Sequence, residues 1–424
     1  MMLKRATAFL AAGLFLMLTT GCWDRREIND LAFTSCFAFD VEGEERIATA
    51  EIVRPAAVAG GGEGGGGGGT GAALPQRNVI LASERGDTLF GAGRRLALRL
   101  PRRTYVAHTD AVLVGEELAR RGLREVLDHL ERHQEFRRTA YILVTRGSAR
   151  DVLVAAQGGL EATLGREITG LSRWVRTSGF GIVPTIHDVI VELSAGASAA
   201  LIPVLEISAQ PLPPSPGAAT SGNAASGGSG QQGAVRVPDP EMLRTVSLKG
   251  AGLFHQDRLV GWLDEHQTRG WAWARNQVRR AILELECPED KKKVSVEITD
   301  SQGKVQIQTS KGELQGIITV KVEGNLLEQQ CLHDLTAVEV LRILESQAVA
   351  GIAGEINNAV AQAKQAGADV FDFGGALYRQ EPQLWKQLKA RWPEEFKKLP
   401  IAVQVEAKIR RTGLSLKPWQ PGAR

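Results

Sequence analysis

His129 and His133, four residues apart, are the first candidates for chemistry in this chain of 424 residues. On a helix that spacing puts both imidazoles on one face, as a bound zinc ion requires, and Asp128, Glu131 and Glu135 supply carboxylates nearby. The metalloprotease signature needs a glutamate directly after the first histidine, and Leu130 stands there instead. A solvated helix face explains this pattern better than a metal centre. His108 and Asp110 flank Thr109, and His187 precedes Asp188, but neither pair is accompanied by the Gly-x-Ser-x-Gly turn that presents a nucleophile. Gly91-Ala92-Gly93 lacks the third glycine of a dinucleotide loop, and no Gly-Lys-Ser/Thr follows the glycine run at 60–71. With no catalytic, cofactor-binding or metal-ligating set assembled, the expectation is a protein that is not an enzyme and uses no cofactor.

The cysteines point to another chemistry. Lys4 and Arg5 precede an apolar run over 6–18. As a helix those residues extend roughly 20 Å, short of the roughly 30 Å of a bilayer core. They match the basic and apolar regions of a secretory signal. Thr19, Thr20 and Gly21 follow, then Cys22, in the arrangement of a bacterial lipobox, although Leu18 lies one position early and Thr19 takes its usual place. The expectation is cleavage between Gly21 and Cys22 and a covalent diacylglyceryl and N-acyl (palmitate-type) lipid on Cys22. Two acyl chains meet the requirement for stable membrane residence, at about 0.8 kcal/mol per buried CH₂. Cys36, Cys287 and Cys331 remain, widely spaced, so one disulfide can form but its partners stay open.

A formal charge of +3 argues against a nucleic-acid partner, and 43% hydrophobic residues support sizeable cores. Arg94, Arg95, Arg99, Arg102 and Arg103 fall in a stretch without acidic residues. Close to a lipid anchor they could meet anionic headgroups at about 1 kcal/mol each, with Leu96 and Leu100 packed inward. Trp262, Trp271 and Trp273 suit core packing better than a partner surface.

The elements that must position these residues follow from patterning. Residues 31–40 and 46–53 suggest paired strands, and 112–114 and 141–144 two more, with Leu118, Leu123, Val126, Leu127 and Leu130 at helical spacing between them. A further helix is expected over 151–164. Near the C-terminus, Ile401, Val403, Val405, Ala407 and Ile409 alternate with polar residues, as do Val294, Val296, Ile298 and Ile318, Val320, Val322. Such alternation marks a largely antiparallel sheet covered on one side. Its cover is one long helix over about 334–366, with Asp334 as its cap and Gly367 as its stop. The fold class is α+β, with a mixed α/β N-terminal region. The expected division is a signal at 1–21, an N-terminal region at 22–210 made of two subdomains with a glycine-rich loop at 60–71, a Pro/Ser/Gly-rich linker at 211–240, and a C-terminal domain at 241–424.

The run Gly21-Cys22-Trp23-Asp24-Arg25-Arg26-Glu27-Ile28-Asn29-Asp30-Leu31-Ala32 resembles the opening of the Ger(x)C family, the C subunits of bacterial spore germinant receptors. Lys249 to Phe254 with Leu259 to Asp264, Arg269-Gly270, Asp369 to Gly374, Trp385 to Trp392 and Lys408 to Gly413 resemble later segments of that family. The resemblance implies a non-enzymatic lipoprotein on the outer face of the spore inner membrane. Its partners would be the lipid bilayer and membrane-embedded A and B subunits, and it would serve receptor assembly and the response to nutrient germinants. Trp23, Arg25, Arg26 and Glu27, held against the membrane, are the expected partner contacts. The rival readings are a surface lipoprotein hydrolase and a solute-binding lipoprotein.

Overall fold

The computed structural model describes residues 27–54, 79–156, 159–179, 181–195, 199–211, 242–310, 312–332, 334–335 and 337–411. Cys22, Trp23, Arg25, Arg26, the glycine run at 60–71 and nearly all of the 211–240 linker lie outside them.

Strand β1 (Leu31–Glu42) is buried on both faces, which explains its near-continuous apolar run. Phe37, Phe39 and Val41 enter one core, while Cys36 and Ala38 enter another. A turn with Gly43 at φ 59° leads to β2 (Glu45–Val53), antiparallel to β1, and β3 (Val79–Gly86) extends that edge. On the other side β5 (Ala111–Val114), β6 (Tyr141–Val144) and β7 (Ala199–Pro211) follow in parallel, and short β4 (Arg103–Tyr105) pairs with the start of β1. Helices α1 (Leu89–Arg95), α2 (Glu116–Arg121), α3 (Arg124–Arg132) and α6 (Ile186–Ser194) cover the Phe37/Phe39 face. Helices α4 (Ala149–Ala155) and α5 (Leu164–Ser178) cover the other.

Buried carboxylates pin two of these helices. Asp40 accepts from the amides of Ala149 and Arg150 at the start of α4, both at 2.8 Å. Glu51 accepts from the amide of Leu164, at 2.9 and 3.1 Å, at the start of α5. Both use the exposed donors and positive end of a helix N-terminus.

Two sequence expectations change here. The helix foreseen through Leu118 to Leu130 is broken into α2 and α3 at Gly122, whose φ of 135° no other residue readily adopts. The helix foreseen over 151–164 is the end of α4 and the start of α5, with Thr163 capping α5 through the amide of Arg166.

The segment at 211–240, expected as a linker, lies between two strands that pair with each other. Strand β8 (Met242–His255) runs antiparallel to β7, in register from Ala199 opposite His255 to Pro211 opposite Met242, and β9 (Arg258–Leu263) follows it. The segment therefore joins neighbouring strands of one sheet, which has nine strands among the described residues.

The second sheet has the order β10 (Ala281–Glu286), β11 (Lys293–Ser310), β12 (Glu313–Gln329), β13 (Ile401–Arg411), antiparallel except for the parallel β12–β13 pair. Helix α8 (Val338–Ala366) packs on it with Leu344, Ala348, Ile352, Ile356, Ala359 and Ala363 buried. Asp334 is not its cap: the helix starts after Ala337 without a side-chain bond. Gly367, at φ 66°, ends it as expected. Helix α7 (Glu265–Ala274), started by an Asp264–Gln267 capping box, lies against α8. After α8 come α9 (Phe373–Gln380), α10 (Pro382–Leu388) and α11 (Trp392–Lys398). A disulfide joins Cys287 to Cys331 and settles the pairing the sequence left open; Cys36 is buried in β1. The architecture is α+β.

Candidate functional site

Of the N-terminal residues singled out as partner contacts, Glu27 is described, exposed at the head of a single 3-10 turn (Ile28–Asp30) that leads into β1. Ile28 in that turn is 72% exposed. Leu31, Ala32 and Phe33 then pair with Arg103, Thr104 and Tyr105 of β4. The arginine stretch thus ends beside the point where the chain enters the fold. Cys22, nine residues before Leu31, is within about 30 Å of it at full extension.

The arginines divide by their partners. Arg99 pairs with Glu84, Arg103 with Glu135 at 2.7 Å, and Arg95 donates to the Arg85 carbonyl at 3.2 Å. Arg94 lies over the Phe90 ring, 5.0 Å from its centroid. Leu96 is buried and Leu100 packs on the same core, as the pattern foresaw.

Between α1 and α3, over the Phe37/Phe39 face, lies a cleft of about 650 Å³. Phe37 and Phe39 stack 5.7 Å apart in its floor, and Phe90 and Phe136 form its sides. His129 and His133 stand in this aromatic set. His129 is edge-on to Phe39 at 5.7 Å and to Phe136 at 5.8 Å, and His133 lies 5.3 Å from Phe136 and 6.0 Å from Phe90. The expectation of a solvated helix face is therefore corrected. Burial, reinforced by His133, pushes His129 down to about 4, and burial also lowers His133. At neutral pH both rings are uncharged, each with one donor and one acceptor nitrogen. The carboxylates beside the two histidines turn to arginines: Asp128 to Arg132, Glu131 to Arg138 and Glu135 to Arg103. The one metal-like grouping among the described residues, Cys287, Asp290 and Cys331, contains the two disulfide sulfurs.

The remaining candidates have structural roles. Asp188 closes a capping box with Thr185 at the start of α6. His108 packs against Phe33 and Tyr105, both at 5.7 Å, while burial raises the carboxyl of Asp110. Gly91 belongs to the first turn of α1, its amide bonded to Thr88 Oγ1. Trp271 and Trp273 are core residues, with indole N–H groups donating to the Val370 carbonyl (2.8 Å) and to Glu355 (3.1 Å). Trp262 lies beneath the Arg146 guanidinium, at 4.6 Å. Phe37, Phe39, Phe90 and Phe136 were missed in the sequence; they come from three separate segments, and none shows a local signal of the cleft.

An α+β scaffold with two sheets, carrying an aromatic cleft with arginines at its mouth, is the class of protein these features define. The chain belongs to the GerAC family of spore germination proteins: residues 24–207 match the spore germination protein N-terminal domain, and residues 249–413 match the spore germination B3/GerAC-like C-terminal domain. The two matched segments end and begin within the paired strands β7 and β8. Relatives in Bacillus subtilis (strain 168) include spore germination protein KC, 28% identical over 412 residues covering 96% of this chain and 95% of that protein. Spore germination protein B3 is 20% identical over 418 residues, covering 97% and 99%. The crystal structure of the GerBC protein aligns with 88% of this chain and 96% of its own, at 18% identity and a TM-score of 0.49. No helix among the described residues is long and apolar enough to cross a membrane.

Proposed function

We propose that this chain is the lipid-anchored, non-enzymatic subunit of a spore germinant receptor. In this reading it is held on the outer face of the spore inner membrane through Cys22, beside membrane-embedded A and B subunits. The observation that carries the reading is the pair of family matches, which together span residues 24–413 apart from the segment between them and begin two residues after the lipobox cysteine. The entry of the chain supports it. A segment tethered at Cys22 would bring Trp23, Arg25, Arg26 and Glu27 to the membrane, where an interface with embedded partners has to form, and Trp23 suits the headgroup region.

The test replaces Cys22 with alanine in the native host. Cys22→Ala is expected to move the protein out of the spore membrane fraction and to weaken germination; full retention in that fraction would overturn the anchor. A second variant, Arg25→Glu with Arg26→Glu, should keep the lipid yet lower co-purification of the membrane partners.

A further inference from the structure

The cleft between α1 and α3 has no part in the anchoring role above. We propose that it is a binding site for a small molecule combining an apolar, preferably aromatic, body with a carboxylate or phosphate head. Its volume of about 650 Å³ falls within the roughly 300–1,000 Å³ usual for small-molecule sites.

Each half of the ligand has a counterpart. Phe90 and Phe136 offer ring faces and edges above a buried floor of Phe37 and Phe39, and the uncharged His129 and His133 extend that surface. The head meets a mouth lined by Arg94, Arg102, Arg103 and Arg132 against one carboxylate, Glu135. Arg103 is paired with Glu135, and Arg132 with Asp128. Arg94 and Arg102 have no carboxylate partner among the described residues, so two guanidinium groups stand ready for the forked bonds that favour carboxylate and phosphate.

A second hollow of about 570 Å³ shares the wall of Phe90, His129 and His133, and there the charge is reversed, with Asp87, Glu125 and Asp128 around Arg132. An anion is repelled on that side and drawn to the arginine side, which gives the ligand one orientation. The inference comes from the cleft alone and holds whether or not Cys22 is lipidated.

Calorimetric titration of the full-length chain in detergent tests it. The probes are 3-phenylpropionate and phenyl phosphate, with 3-phenylpropionamide and inorganic phosphate as controls and phosphatidylglycerol vesicles as a separate arm. The aromatic anions should bind at least about tenfold more tightly than either control. Arg94→Gln with Arg102→Gln should cost at least about tenfold in affinity. Gly93→Leu should block binding without loss of fold, because Gly93 lines the cleft and an added Cβ meets nothing within 4 Å. Phe90→Ala, at a side chain 47% exposed, gives a second variant that leaves the core intact and should also weaken binding. Inorganic phosphate binding as tightly as the aromatic anions would reduce the site to a basic patch and overturn the proposal. So would binding to vesicles alone, which would mark a headgroup contact, or unchanged affinity in both Gly93→Leu and Phe90→Ala.

Discussion

Arg269 of α7 grips Glu355 of α8: its Nε lies 2.9 and 3.1 Å from the two carboxylate oxygens, and its Nη2 donates to one of them as well. Both side chains are nearly out of solvent, at 7% and 13% exposure. Trp273 Nε1 (3.1 Å) and His266 Nδ1 (3.1 Å) complete the set around the carboxylate. Gly270 sits against the same turn, where a Cβ would strike the Glu355 carbonyl. The Arg269-Gly270 pair that resembles a family motif is thus a helix–helix joint: the glycine permits close approach and the arginine locks it.

Breaking that joint leaves a charge buried without its partner, which typically costs about 3–5 kcal/mol. Glu355→Ala is expected to lower the unfolding free energy by that amount in urea denaturation. Gly270→Ala forces α7 away from α8 and should cost about 1–3 kcal/mol. Both variants should leave the α1–α3 cleft intact, because neither α7 nor α8 lines it. A loss below about 1 kcal/mol for Glu355→Ala would put the pair in the class of surface salt bridges.

Legibility in the sequence follows how local each signal is. The alternation from Ile401 to Ile409 is a period-two pattern within one strand, and it foretold β13; apolar residues at helical spacing from Leu335 through Val338 and Leu341 to Ala363 foretold the buried side of α8 from Leu344 on, although Val338 is exposed. Gly122 was less legible, because apolar residues keep helical spacing across a break that depends on one φ angle. The cleft was half legible. Spacing put His129 and His133 on one face, but Asp128, Glu131 and Glu135 around them suggested water. What they face comes from Phe37 and Phe39 on β1 and Phe90 on α1, and no local pattern connects those positions. The choice of Cys287 and Cys331, 44 residues apart, likewise depends on where β10 and β12 bring their ends together.

His129 gives a pH dependence with a definite sign. Its value of about 4 in the folded chain lies below the 6.5 of an exposed histidine, chiefly through burial. A depressed folded value means that the contribution is complete above about pH 6.5 and lost as the pH falls towards 4. Between pH 7 and pH 4.5, wild type should lose about 2–3 kcal/mol relative to His129→Phe. Urea midpoints of the two proteins across that window measure it; parallel curves would show that His129 titrates alike folded and unfolded.

Asp369 should behave in the opposite way. Its carboxylate is fully buried and accepts from the amides of Phe373 (3.1 Å) and Gly374 (2.7 Å) and from Trp392 Nε1 (2.9 Å). The three donors favour the ionised form, but burial outweighs them and, with Asp372 nearby, raises the group from 3.8 to about 6. A raised folded value means that the folded chain holds the proton longer, so this contribution is complete below about pH 3.8 and lost as the pH rises through 6. The stability of wild type relative to Asp369→Asn should therefore fall by about 3 kcal/mol between pH 3.5 and pH 7. Asparagine cannot titrate, and whichever oxygen it keeps, its amide NH₂ opposes at least one of the three donors, so the variant should be weaker at every pH. The difference between the two curves isolates Asp369 from His129, whose loss runs the other way over an overlapping range. A constant offset would mean that the three donors cancel the effect of burial and that Asp369 titrates alike in the folded and unfolded chain.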